Sequence, residues 1–292
     1  MAADGAVLVV GGDGLVGTAV ARRLEGDGVA VVRTSRRGTP GTVPLDLAAS
    51  PESWTVPRGL RGAVLAAAVT STQQCRDHAV ETHRVNVDAT VELARRLSSG
   101  GTRVVLLSTN MVFDGTVAAT PADAPRSPMT AYGRMKAEAE EAILATCLEA
   151  VVLRLTKVLP STLPLIASWR DAWTRGEPVR PFSDLMLAPV SPAHAAEAIA
   201  AVTLASHPDR IVQCSATADV SYADVARRLA AAWGHGTSLV EPVSVAASGV
   251  VLEHVPRHTT LAAGTLQAVF GIETPDPWVA VDAVALAEHG VR

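Results

Sequence analysis

Ala6-Val7-Leu8-Val9-Val10-Gly11-Gly12-Asp13-Gly14-Leu15-Val16-Gly17 is a short apolar run that passes into three glycines spaced three apart. The apolar run has the length of a buried strand. The residues after it, Leu15–Glu25, place Val16, Val20 and Leu24 at helical spacing. A strand, a glycine-rich turn and a helix in that order have a physical use. The glycines permit a tight turn and close backbone approach, and the first turn of the helix points free N–H groups at an anion. The stretch therefore predicts a dinucleotide pyrophosphate site at Gly11, Gly14, Leu15, Val16 and Gly17. A plain strand–helix turn is the alternative without function.

Outward from this stretch, the alternation continues. Val29–Val32 and Ala63–Ala68 read as the second and third strands, and residues 80–98 as a helix carrying Val87, Val91 and Ala94. Arg103–Leu107 reads as a fourth strand, Tyr132–Leu148 as a helix and Val151–Leu155 as a fifth strand. Such alternation predicts an α/β fold, a Rossmann-type doubly wound parallel sheet covered on both faces. After Thr156 prolines at 160, 164, 178, 181, 189 and 192 break the rhythm. A helix His194–Leu204 and a strand Ile211–Cys214 are expected to return to the sheet. The chain thus divides into a dinucleotide-binding domain over 1–156, joined by 188–213, and a smaller C-terminal substrate lobe from 157–187 and 214–292. That lobe reads as irregular apart from a helix at Tyr222–Ala232. Trp169 and Trp173 have helical spacing and read as core.

Composition narrows the functional classes. A net charge of -4 without basic runs speaks against a nucleic-acid or membrane-surface partner. No signal-peptide pattern is evident, and three cysteines without paired spacing (Cys75, Cys147, Cys214) suit a reducing, cytoplasmic setting. Among 25 basic residues only Lys136 and Lys157 are lysines, and the chain has two tyrosines, Tyr132 and Tyr222. Lysine in an arginine-rich chain marks positions where a compact ammonium is useful.

The second strand is followed by Arg33-Thr34-Ser35-Arg36-Arg37 rather than an acid that would bind both ribose hydroxyls. Arg33, Ser35, Arg36 and Arg37 suit a 2′-phosphate, so NADP(H) is expected over NAD(H). Asp46 and Leu47 are placed near the adenine. Tyr132-Gly133-Arg134-Met135-Lys136 puts Tyr132 and Lys136 one helical turn apart. A carbonyl that accepts hydride needs a proton, and an ammonium beside a phenol lowers its pKa from about 10. Thr109, at the carboxyl end of the fourth strand, can orient the carbonyl oxygen or merely cap the next turn.

Ser108-Thr109-Asn110-Met111-Val112-Phe113-Asp114-Gly115 and Ser127-Pro128-Met129-Thr130-Ala131-Tyr132-Gly133-Arg134-Met135-Lys136 resemble the S-T-D-Y-V-F-D-G and S-P-L-N-V-Y-G-x-x-K segments of the dTDP-4-dehydrorhamnose reductase family, extended short-chain dehydrogenases/reductases. Ala66-Ala67-Ala68-Val69-Thr70, Arg154-Leu155-Thr156-Lys157 and, more loosely, Pro256-Arg257-His258-Thr259-Thr260-Leu261 are similar to further segments of it. The resemblance implies an NADPH-dependent oxidoreductase acting on a keto group of a nucleotide-linked sugar. Thr109, Tyr132 and Lys136 would carry the reduction. Gly14, Leu15, Val16, Ala67, Ala68 and Val69 would line the cofactor, and Thr109, Asn110, Lys157 and Arg257 would meet the substrate. Asn110 stands where the family has Asp, and Lys157 where it has Trp, so dTDP-4-dehydrorhamnose itself is not implied. A homodimer is one candidate assembly. An epimerase and a non-catalytic NADP-binding subunit, as in methionine adenosyltransferase, are the rival readings. No metal site is expected: Pro256 opposes a helix between His254 and His258. Asn86 reads either as a residue that bends its helix or binds a structural water near the lysine, or as an ordinary polar helix residue.

Overall fold

A computed structural model of the chain describes residues 5–49, 53–206 and 209–287. In chain order the elements are β1 (Ala6–Val10), α1 (Leu15–Gly26), β2 (Val31–Ser35), β3 (Val43–Pro44), β4 (Leu60–Leu65), α2 (Thr72–Asp77), α3 (Ala79–His83), a π-helical turn (Arg84–Ala89), α4 (Thr90–Ser99) and β5 (Arg103–Thr109). A 3-10 turn (Asn110–Val112), α5 (Ala131–Thr146), β6 (Val151–Leu155), α6 (Pro164–Thr174), β7 (Met186–Leu187), α7 (Pro192–Leu204) and β8 (Ile211–Cys214) follow. The last elements are β9 (Val220–Ser221), α8 (Tyr222–Ala232), α9 (Val245–Ser248), α10 (Gly264–Phe270) and α11 (Pro277–Ala287).

Seven strands form one sheet in the order β3-β2-β1-β4-β5-β6-β8, every pairing parallel. This is the Rossmann-type arrangement the sequence predicts. The order reverses direction between β1 and β4, and there the strand ends open a crevice. Alternate strand residues face opposite layers. Val7, Val9, Val64 and Val105 pack against α1 and α7. Leu8, Val10, Ala63 and Leu106 pack on the other face with Leu93 and Leu97 of α4 and Ile143 of α5. A separate core joins Trp169 and Trp173 of α6 to Leu229 of α8 and Val281 of α11. Its indoles pack tilted against one another, Trp173 lying 6.2 Å from Trp169 and 6.0 Å from Trp233. Among the described residues no helix is long and apolar enough to cross a membrane.

Several boundaries differ from the sequence reading. The second strand runs Val31–Ser35, not Val29–Val32, because Gly28 turns the chain at φ +77° and the β1 register begins at Val31. The third strand is Leu60–Leu65, so Ala66–Ala68 lie beyond it at the crevice. The helix expected over 80–98 is interrupted by the π-helical turn around the buried Asn86. The C-terminal region is more regular than expected: β7 pairs antiparallel with β9, and α9, α10 and α11 follow.

One buried ionic cluster joins the sheet to α5. Arg154 on β6 is 1% exposed and Glu140 on α5 is 0% exposed. Arg154 Nη2 donates to Glu140 Oε2 at 2.7 Å and Nε to Oε1 at 3.0 Å. Ser108 on β5 donates to the same Oε1 at 2.5 Å. Arg154 Nη1 donates to the Ala122 carbonyl at 2.9 Å, and the guanidinium lies over the Phe113 ring. Burying charge is costly unless every donor and acceptor finds a partner, and removing one member strands the other. Arg154→Leu should therefore destabilise the fold by about 3–5 kcal/mol in denaturant unfolding. The Arg154→Leu, Glu140→Leu double variant should lose clearly less than the two single losses combined. Additive losses would show that the pair is not coupled.

Candidate active site

The glycine turn forms as its spacing predicts. Gly11 adopts φ +81° against the Ala67 backbone, and a Cβ at Gly17 would collide with the Gly11 carbonyl. Gly14 is the exposed N-cap of α1, whose first turn carries no acid. Leu15 is exposed, Val16 half-buried. These features fit a dinucleotide: open N–H groups, no competing negative charge and no side chain in the way. Ala67, Ala68 and Val69 lie half-buried across the crevice. Their loop is held by Asn86, whose Oδ1 accepts from Val69 N at 2.8 Å while Nδ2 donates to Val69 O at 2.9 Å. The sequence reading of Asn86 missed this amide-to-backbone clamp. The scarcity of asparagine in the chain was the available signal.

The basic stretch is divided by the fold. Arg36 and Arg37 are exposed beyond the end of β2. Arg33 instead pairs with Glu25 at 2.6 Å. Ser35 is 1% exposed, with Oγ accepting from Thr39 N at 2.9 Å and 2.8 Å from Thr42 Oγ1. Asp46 accepts from Ala48 N at 2.9 Å, and Leu47 is buried.

Thr109 ends β5 and is 8% exposed. Its Oγ1 accepts from Met111 N at 3.2 Å, which is the turn-capping role, and lies 3.4 Å from Asn110 Oδ1. Facing it, Thr130 caps α5 by accepting from Gly133 N at 3.0 Å. Gly133 is required there, since a Cβ would strike the Met111 carbonyl. The helix start therefore rests directly on the turn after β5. The Glu253 carboxylate, from the C-terminal region, accepts from Ala131 N at 3.0 Å. Tyr132 and Lys136 are both buried, on one face of α5 with Glu140 a further turn on.

Their electrostatics correct the sequence expectation. Burial pushes the Tyr132 phenol up, with a smaller push from the adjacent Cys75, rather than Lys136 bringing it down. Burial pushes Lys136 down to about 8, opposed by the Glu140 carboxylate. Desolvation thus sets the direction at both groups, and at Lys136 it outweighs the attraction of Glu140.

Beside the turn that follows β5 lies a pocket whose walls include Asn110, Met111, Met129, Thr130, His254 and His258; Thr109, Tyr132 and Lys136 are not part of its walls. Lys157 and Arg257 are exposed and are not part of its walls. Crowding by protein nevertheless pushes Lys157 below the ordinary lysine value. A second, more open depression lies beside Leu15 between Pro160, Pro192 and Val284.

Comparison with known proteins gives this site a context. A solved dTDP-4-dehydrorhamnose reductase from Bacillus anthracis str. Ames in complex with NADP superposes with a TM-score of 0.84 at 16% identity, covering 97% of this chain and 98% of that one. MoeE5 in complex with UDP-glucuronic acid and NAD gives 0.81 at 23% identity, covering 98% and 100%. At these identities the likeness is one of fold. Methionine adenosyltransferase 2 subunit beta of Bos taurus is 35% identical over 85 residues, 27% of this chain and 25% of that protein, so the chain matches about a quarter of that relative's length. The profile of the family described as RmlD substrate binding domain matches residues 5–287, nearly the whole chain, and the protein belongs to that family.

Proposed function

We propose that this protein is an NADPH-dependent reductase of a keto group on a nucleotide-linked sugar. The observation that carries the reading is that Thr109 ends β5, that the start of α5 packs on the turn after it, and that Tyr132 and Lys136 lie buried on one face of that helix. The fold-level likeness to nicotinamide-dependent enzymes of nucleotide sugars supports it.

When bound, a reduced nicotinamide would supply the hydride that the ketone carbon needs. Gly11, Gly14 and Gly17 would hold the dinucleotide pyrophosphate, Ala67, Ala68 and Val69 would flank it, and Arg36 and Arg37 would meet a 2′-phosphate. Tyr132 gives its hydroxyl proton to the ketone oxygen, so the carbonyl becomes a secondary alcohol. The raised pKa keeps that proton on Tyr132 at neutral pH, and the Lys136 ammonium stabilises the phenolate left behind. Thr109 turns its hydroxyl from the Asn110 amide oxygen to the same ketone oxygen. Asn110 contacts the sugar, and the exposed Lys157 and Arg257 meet its charged or hydroxylated periphery. The local match to the methionine adenosyltransferase subunit favours one rival reading, a non-catalytic NADP-binding subunit.

Tyr132→Phe removes only the hydroxyl. It should bind NADPH as before and lose roughly 10²–10⁴ in turnover with a nucleotide-linked keto sugar. Equal rates would remove Tyr132 from the mechanism. Arg36→Ala with Arg37→Ala should erase most of the preference for NADPH over NADH in a fluorescence titration. Tighter NADH binding by the unmodified protein would defeat the cofactor assignment.

Lys136 links pH to both stability and turnover. Its pKa is depressed, so the folded state carries a penalty that is complete below about 8 and fades as pH rises toward the ordinary lysine value. Glu140 keeps Arg154 and Ser108 when Lys136 is removed. Lys136→Met should thus stabilise the cofactor-free protein at pH 7, on the order of 1–3 kcal/mol, and less at pH 10. Turnover should be lost. A lower unfolding midpoint for this variant at pH 7 would contradict the account.

A further inference from the structure

Two imidazoles belong to the pocket beside the turn that follows β5, and each is anchored through one ring nitrogen only. His254 Nε2 lies 2.6 Å from the Asp114 carbonyl oxygen. A carbonyl only accepts, so that nitrogen carries the proton, and in the neutral ring Nδ1 keeps a lone pair. His258 shows the opposite arrangement. Its Nδ1 lies 3.2 Å from Asp219 Oδ2. Asp219 also accepts from Thr259 N at 2.7 Å and Thr259 Oγ1 at 2.6 Å, which marks it as an acceptor. His258 Nδ1 therefore carries a proton, and in the neutral ring the distal Nε2 keeps a lone pair. Among the described residues no hydrogen bond occupies either remaining nitrogen.

The backbone beneath these rings is fixed. Arg257 N and His258 N both donate to the Gly115 carbonyl, at 3.1 and 2.9 Å. Gly115 belongs to the loop that continues directly from Thr109 and Asn110. Asp219 on the far side keeps the His258 ring from turning. The imidazoles are thus held relative to the loop that follows Thr109 and Asn110.

Resting on the reductase reading above, we propose that His258 and His254 form a specificity site that reads hydroxyl groups of the sugar ring. The chemistry favours a hydroxyl over a phosphate. Asp219 already supplies negative charge beside His258, which opposes an anionic oxygen, whereas a hydroxyl can donate to a ring-nitrogen lone pair. Met111, Met129 and Phe113 provide apolar wall for the ring carbons between such contacts. A site that accepts a hydrogen bond from a hydroxyl discriminates against the analogue lacking it, because that bond is then lost.

The test uses variants that keep each anchor and delete each reader. Asparagine can reproduce the Nδ1–H donor, so His258→Asn keeps the Asp219 contact and lacks the distal nitrogen. Glutamine can reproduce the Nε2–H donor, so His254→Gln keeps the Asp114 contact and lacks Nδ1. NADP-loaded protein would be titrated calorimetrically with UDP-glucose, dTDP-glucose, their monodeoxy analogues, and UDP and dTDP alone. In the unmodified protein at least one deoxy analogue should bind about tenfold more weakly than its parent. His258→Asn or His254→Gln should abolish that difference, with unchanged affinity for the nucleoside diphosphate and an unchanged unfolding midpoint. Deoxy penalties that persist in both variants would overturn the proposal and leave the reductase reading intact. Equal weakening of nucleoside diphosphate and nucleotide sugar would also overturn it. An unmodified protein that binds none of these ligands would defeat the nucleotide-sugar reading itself, and this proposal with it.

Discussion

The buried bond between Arg154 and Glu140 is the constraint on which the rest of the site depends. Two charged side chains, nearly inaccessible to water, make sense only if the cluster is complete. Here it is: the carboxylate takes both Arg154 nitrogens and the Ser108 hydroxyl, and the remaining guanidinium nitrogen reaches the Ala122 carbonyl. Ser108 immediately precedes Thr109, and Glu140 lies one helical turn beyond Lys136. The cluster therefore fixes the distance between the strand end and the helix face where chemistry is proposed. Gly133 and the Thr130 cap fix the other end of that helix against the turn after β5. Between these two anchors α5 has little freedom to slide.

The same helix carries an electrostatic gradient. Tyr132, Lys136 and Glu140 follow one another at single-turn intervals, passing from the crevice to the interior. Desolvation pushes the phenol up and the ammonium down, which is the direction that burial alone dictates. The site is thereby poised to respond to anything that adds charge or dipoles at the crevice. A stable fold would prefer a neutral side chain at position 136, so the presence of one of the only two lysines there argues for use over packing.

Much of this architecture was legible in sequence because it depends on local signals. The run Ala6–Val10, the strands Val151–Leu155 and Ile211–Cys214 and the helix Tyr222–Ala232 have the observed limits, since periodicity and flanking turn residues define them. The Rossmann-type sheet follows from their alternation. Other features were hidden because they are tertiary. Nothing local announces that Arg33 will turn back to Glu25, that Ser35 will close its own turn, or that Asn86 will clamp Val69. That amide lies within the π-helical turn. The short β7–β9 pairing joins residues far apart in sequence, and the helices after Gly264 lack the polar face that makes periodicity visible. His254 and His258 drew notice only as a metal-like spacing. Their orientation became readable when Asp114 and Asp219 came into view.

The central claim is that this family member moves a hydride to a sugar carbon at the end of β5. Its most direct test is turnover of nucleotide-linked keto sugars with NADPH carrying deuterium at the transferable position of the nicotinamide. The account predicts consumption of the reduced cofactor and deuterium on the new carbinol carbon of the product. NADPH that binds yet is never oxidised across a broad keto-sugar panel would contradict it and favour a non-catalytic, cofactor-binding subunit.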